Sequence, residues 1–128
     1  MSSIRLDSDF SAEEFVALAQ LVWPGEYDTA RAAIALTKSV NIGARDGGRL
    51  VGALRVLTDG YFFACVSEIL VDPAYQRRGL GRALMARALE AAPRGKLFLG
   101  AQPQSVGPQN RTIFARPSDP AASNLWRV

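Results

Sequence analysis

The stretch Gln76-Arg77-Arg78-Gly79-Leu80-Gly81, with Arg82 directly after it, is the part of the chain best equipped for chemistry. Its form is Q-x-x-G-x-G. Glycines let a backbone turn tightly and approach a ligand closely, and N–H groups at a helix start have no partner inside the helix. The helix dipole adds positive potential at that end, and Arg77, Arg78 and Arg82 add full charges. A diphosphate fits such a nest. The competing reading, from glycine spacing alone, is a glycine turn feeding a helix with solvated arginines. The pattern is not a dinucleotide fingerprint, because it has two glycines and no acid about twenty positions on. Nor is it a P-loop, since Gly-Lys-Ser/Thr is absent.

The charge distribution marks the same place. Fifteen basic and twelve acidic residues give a net charge of +3. Six of the basic residues (Arg77, Arg78, Arg82, Arg87, Arg94, Lys96) and one acid, Glu90, fall between Gln76 and Lys96, a local +5. The remaining nine basic and eleven acidic residues sum to −2. A nucleic-acid footprint spreads positive charge over a face, so no nucleic-acid partner is expected.

What is missing narrows the chemistry further. The chain has no histidine, which removes His-dependent triads and His-based metal sites. One cysteine, Cys65, excludes an internal disulfide and a Cys-based zinc site. Proton chemistry must use carboxylates, Tyr, Lys, Cys or solvent. Cys65 as a nucleophile has no neighbouring His or Lys in sequence, and a strand cysteine is more often a small hydrophobe. No apolar run approaches the ~18–20 residues that span a membrane. The start, Met1-Ser2-Ser3-Ile4-Arg5, lacks an apolar signal block, so the cytoplasm is the expected compartment.

The 128 residues make one domain with one core. Ser3 to Leu6 reads as a short strand. Ser11-Ala12-Glu13-Glu14 is a capping box with Phe10 and Phe15 at staple spacing, opening a helix that Pro24-Gly25 ends. Asp28 caps a second helix to about Ser39, with Ala30, Ala33, Ile34 and Thr37 on one side. Val40–Ala44 and Leu50–Leu57 form a hairpin around Asp46-Gly47-Gly48. Tyr61–Val71 is then a long strand that Asp72-Pro73 stops. In it, Glu68 falls in line with Phe62, Ala64, Val66 and Leu70. Gly79–Ala92 is a helix with Leu80, Leu84, Ala88 and Ala91 on one face. Pro93-Arg94-Gly95 closes it, and Lys96–Gly100 is a further buried strand. The fold class is α/β with a mixed sheet, mostly antiparallel at first and ending in a parallel βαβ unit.

The run Val71-Asp72-Pro73, followed by Tyr75-Gln76-Arg77-Arg78-Gly79-Leu80-Gly81-Arg82-Ala83-Leu84-Met85, closely resembles motif A of the GNAT N-acetyltransferase superfamily. Gly47-Gly48-Arg49-Leu50-Val51-Gly52-Ala53-Leu54-Arg55-Val56 is similar to that family's β2–β3 pair, and the resemblance covers roughly residues 3 to 100. It implies a GNAT fold and acetyl-CoA as co-substrate, with no metal. Gln76, Arg77, Arg78, Gly79, Leu80, Gly81 and Arg82 would hold the diphosphate. Ile69, Leu70 and Val71 would offer main-chain groups to the pantetheine arm, although simple core packing also accounts for their side chains.

The implied reaction is acetyl transfer to a primary amine of a small molecule or protein by direct attack. An ammonium has no lone pair, so something must take its proton. Several GNAT enzymes use a glutamate in this strand, and Glu68 matches that position. Apolar neighbours would raise a carboxylate's pKa towards the working range. The alternative for Glu68 is a structural ion pair with Arg55.

The resemblance stops after Gly100. The family continues with a helix bearing an aromatic-Tyr-x-x-x-Gly-Phe stretch and two more strands, and its tyrosine often protonates the departing thiolate. Residues 101–128 hold four of the seven prolines and no tyrosine. Asn110 matches a CoA-contacting asparagine poorly, and Arg111–Arg116 is a candidate closing strand. A second function therefore stays open, a non-catalytic acetyl-CoA-binding or regulatory protein with a degenerate acceptor half. A member short of its last strands would expose a sheet edge, which is a reason to form a homodimer.

Overall fold

Short-range side-chain chemistry sets the element boundaries in the first half of the chain. The computed structural model describes residues 4–92, 97–100 and 112–114. Strand β1 is Ile4–Ser8 and helix α1 is Ala12–Val22. The capping box forms as expected, with the Glu14 N–H donating to Ser11 Oγ at 3.1 Å and the Ser11 N–H to Glu14 Oε1 at 3.0 Å. Phe10 and Phe15 stack across it with ring centroids 5.6 Å apart. Helix α2, Thr29–Leu36, starts where Asp28 Oδ1 accepts the Arg31 N–H at 3.1 Å. Its side carrying Ala30, Ala33, Ile34 and Thr37 faces solvent, and Leu36 is its buried residue.

Strands β2 (Val40–Asp46) and β3 (Arg49–Thr58) form the hairpin, and β4 is Ala64–Val71. Helix α3, Leu80–Ala91, leads to β5 (Phe98–Gly100) and β6 (Thr112–Phe114). The sheet order is β1-β2-β3-β4-β5-β6. Each neighbouring pair is antiparallel except β4 and β5, which run parallel. The βαβ unit is therefore present, and β6 lies inside the expected closing strand. The helix stop at residues 93–95, Lys96, and the stretches 101–111 and 115–128 lie outside the described residues.

Helices cover both faces. Helix α3 packs Leu80, Leu84, Met85 and Ala88 against Ile42, Leu54, Val56 and Val66. Met85 takes the inward place assigned to Ala91, which is exposed. Helix α1 packs Leu18 and Ala19 against Leu50, Ala53 and Leu70 on the other face. Gly43 permits the close approach of β1, because a Cβ there would sit 2.5 Å from the Ser8 carbonyl and 2.9 Å from Phe10.

Two features of β4 differ from the sequence reading. Tyr61, Phe62 and Phe63 are not strand residues. Asp59 Oδ1 accepts their three N–H groups at 2.9, 2.7 and 3.1 Å, so a side chain takes the donors a ladder would have used. Those three bonds hold the Asp59 carboxyl below its ordinary pKa. The second feature is a register shift. Arg55 lies opposite Glu68 while Val56 lies opposite Val66, so Ser67 is an extra residue, a β-bulge. Before it, Ala64 and Val66 face α3; after it, Glu68 and Leu70 face α1. The expected apolar line of Phe62, Ala64, Val66 and Leu70 around Glu68 is broken by that one residue.

Arg45 fastens α1 to the sheet. Its guanidinium donates to Glu14 Oε2 at 2.6 Å and Oε1 at 2.9 Å, and to the Asp9 carbonyl at 2.8 Å. The Arg45 hydrogen bonds, then the Ser11 N–H, lower the Glu14 pKa from 4.5 to about 2. A depressed carboxylate stabilises fully above its unfolded value and loses that contribution as pH falls through the folded one. Stability should therefore fall between pH 4.5 and 2, and Glu14→Gln should flatten that part of the profile. Urea-unfolding midpoints across this window check it, and equal slopes in both proteins would contradict it.

Candidate active site

The junction between β4 and α3 is held by side chains from three directions. Asp72 ends β4, and its N–H donates to the Val51 carbonyl at 2.8 Å. Its carboxylate is buried, with Oδ1 accepting the Ala74 N–H at 2.9 Å and Oδ2 paired with Arg49 Nη2 at 2.5 Å. Pro73–Tyr75 forms a single 3-10 turn, with Pro73 where a missing N–H costs least. Gln76 then folds back, its amide donating to the Val71 carbonyl at 3.0 Å. Two residues in the left-handed region follow, Arg77 at φ 63° and Gly79 at φ 87°. A Cβ on Gly79 would meet nothing within 4 Å, so the backbone angle, not crowding, is what calls for glycine there.

Helix α3 begins directly after Gly79 with no side-chain cap. Ala83 donates the first backbone hydrogen bond, to the Gly79 carbonyl at 3.0 Å. The N–H groups of Leu80, Gly81 and Arg82 precede it and have no acceptor among the described residues. Arg77, Arg78, Gly79 and Arg82 are exposed at this opening, while the Leu80 side chain and Gly81 are buried against the sheet. No ion pair engages Arg77, Arg78 or Arg82 among the described residues, and Arg78 lies over the Tyr75 ring. Positive charge and unsatisfied donors thus meet at one helix start, which fits a polyanionic group such as a diphosphate.

The side chains of Ile69, Leu70 and Val71 belong to the core. Leu70 packs under α1, and Val71 and Ile69 pack on the α3 side. Their pairing is one-sided. Strand β3 lies along one edge of β4 as far as Val71, whereas β5 pairs only with Cys65 and Val66. Among the described residues the β5 side of β4 has no ladder partner from Ser67 onward.

Glu68 stands at the start of that one-sided stretch, on the α1 face. Arg55 Nε donates to Glu68 Oε2 and Nη2 to Oε1, the latter at 3.0 Å, so the ion pair weighed from sequence is present. Ser67 Oγ donates to the same Oε1 at 3.0 Å and accepts from Arg55 Nη2 at 2.9 Å. Arg55 also reaches Ser39 Oγ at 3.3 Å, and Ser39 donates to Asn41 Oδ1 at 2.6 Å. Asn41 in turn donates to the Leu36 carbonyl at the end of α2. The setting of Glu68 is therefore a guanidinium and a hydroxyl, with 21% of its side chain exposed, and not the apolar surround expected. Ser39, Asn41 and Ser67 carried no sequence signal, because their roles depend on register across strands far apart in the chain; Tyr75 lay within the quoted motif run, but its bond to Asp46 could not be read from it. Among the described residues no cluster of His, Cys, Asp and Glu could hold a metal.

The profile of the acetyltransferase (GNAT) family matches residues 8–107. The chain belongs to the GNAT acetyltransferase family. It is similar to the N-alpha-acetyltransferase RimI of Mycobacterium tuberculosis, with 44% identity over 61 residues, 45% of this chain and 39% of that one. The matched part thus spans less than half the length of the curated relatives. A GNAT family protein, SP0256 of Streptococcus pneumoniae, shares the fold with a TM-score of 0.63 and 29% identity, over 77% of this chain and 74% of that one. The acetyltransferase yncA of Salmonella typhimurium, solved with acetyl-CoA, aligns with a TM-score of 0.60 and 19% identity over 81% of this chain and 73% of its own, a likeness of fold.

The buried Asp72 should prove expensive to remove. Asp72→Ala loses the cap on Ala74 and the Arg49 partner, and is expected to cost about 2 kcal/mol of unfolding free energy. Denaturant titration measures it, and a loss below about 0.5 kcal/mol, the ordinary surface value, would contradict the anchoring role.

Proposed function

We propose that the chain moves the acetyl group of acetyl-CoA to a primary amine of a small molecule or a protein. The observation that carries this reading is the start of α3, where three helix N–H groups without acceptors among the described residues lie beside Arg77, Arg78 and Arg82. Gln76 to Arg82 would hold the diphosphate. The main chain of Ile69, Leu70 and Val71, one-sided in its ladder pairing among the described residues, would lie along the pantetheine arm. Bound there, acetyl-CoA supplies an activated thioester, whose C–S bond breaks as the amine nitrogen bonds to the carbonyl carbon.

Glu68 would take the proton that the ammonium must lose, directly or through water. Arg55 and Ser67 fix the carboxylate's orientation, so it would act as a set acceptor and not a swinging one. The CoA sulfur leaves as a thiolate, which solvent can protonate.

Thiol release from acetyl-CoA, measured against a panel of amines, polyamines, aminoglycosides and short peptides, tests this reading. Transfer to at least one amine is expected, with Glu68→Gln lowering turnover about 100-fold and leaving acetyl-CoA affinity within about twofold. An unchanged rate constant would remove the role of Glu68. Acetyl-CoA binding without transfer to any amine would favour the non-catalytic alternative.

A further inference from the structure

We propose that Tyr75 is a positioning residue for the phosphates of acetyl-CoA, acting through Arg78. The inference rests on the acetyl-CoA reading and adds a residue outside the glycine and arginine stretch. The Arg78 guanidinium carbon lies 5.6 Å from the centre of the Tyr75 ring, within cation–π range. That ring is itself fixed. The Tyr75 N–H donates to the Asp72 carbonyl at 2.7 Å, its hydroxyl donates to Asp46 Oδ2 at 2.5 Å, and its half-buried ring packs on the α3-side core.

Two side-chain links therefore join the tip of the β2–β3 hairpin to the anion loop. One is Asp46 with Tyr75, the other Arg49 with Asp72, and Asp46 and Arg49 face each other across the hairpin. An exposed arginine samples many rotamers and loses that freedom when a ligand orders it. A ring beneath the guanidinium removes part of the loss in advance, which is preorganisation. A carboxylate at the phenol hydroxyl enriches the ring in electrons and strengthens the face that the cation meets. Arg77 and Arg82 have no such platform among the described residues.

The test is a double-mutant cycle read by calorimetric acetyl-CoA affinity on the full chain: unaltered, Tyr75→Leu, Arg78→Gln and the pair. Tyr75→Leu should weaken binding about fivefold when Arg78 is present, and less than about twofold in the Arg78→Gln background. Tyr75→Phe keeps the ring but loses the Asp46 bond, and should fall between Leu and the unaltered protein. Equal losses in both backgrounds would overturn the inference, because Tyr75 would then be supporting the loop as a whole. No loss from Tyr75→Leu beside Arg78 would overturn it as well. Where Tyr75→Leu unfolds, the cycle run with Tyr75→Phe should show a smaller loss that again requires Arg78, and an equal loss with and without Arg78 would overturn the inference. If the unaltered protein does not bind acetyl-CoA, the failure lies in the reading beneath, and it shows before any variant is made.

Discussion

A sheet strand that gains one residue over its neighbour must turn every later side chain to the opposite face. In β4 that residue is Ser67, and the rest of the site is arranged around it. Upstream, Ala64 and Val66 complete the core beneath α3, and β5 closes the edge. Downstream, Glu68 turns towards α1 and meets Arg55, and among the described residues the β5 ladder has ended. The same strand is thus a packed core element in its first half and a one-sided one in its second. Helix α3 starts just past that second half, which places its exposed N–H groups beyond the end of the one-sided stretch.

Three of the ion pairs among the described residues join elements around the site, and they do different things. Arg45 with Glu14 binds α1 to β2, with Ser8 Oγ and the Asp9 and Gly48 carbonyls taking the remaining guanidinium donors. Arg49 with Asp72 joins the hairpin to the anion loop through a carboxylate that is itself an N-cap. Arg55 with Glu68 lies on the polar row Asn41, Arg55, Glu68, which crosses three strands beneath α1 and the end of α2. The first two fasten elements whose placement the loop requires. The third holds the carboxylate proposed for proton transfer.

Local chemistry was readable from residues alone wherever it was short in range. The capping box at Ser11, the Asp28 cap, the hairpin turn and the strand-loop-helix-strand order around Gly79 all follow from neighbours within a few positions. The motif from Gln76 to Arg82 lies at the start of α3 as read, because a helix start is a local object. What escaped was register. A bulge is set by how two strands match along their length, so Ser67 and the changed surroundings of Glu68 could not be read from a single run of alternating residues. The strand start was missed for a related reason. Asp59 captures three amides, and that side-chain competition outweighs the β-propensity of Tyr61, Phe62 and Phe63.

The central claim is that CoA lies along the one-sided half of β4 and ends on the start of α3. Amide proton–nitrogen spectra of the labelled protein, titrated with CoA, test it most directly. Saturable shifts should be largest at the amides of Arg77 to Arg82 and of Ile69 to Val71, with those of β1 and α2 nearly unmoved. No saturable shift, or shifts concentrated on β1 and α2, would contradict the account.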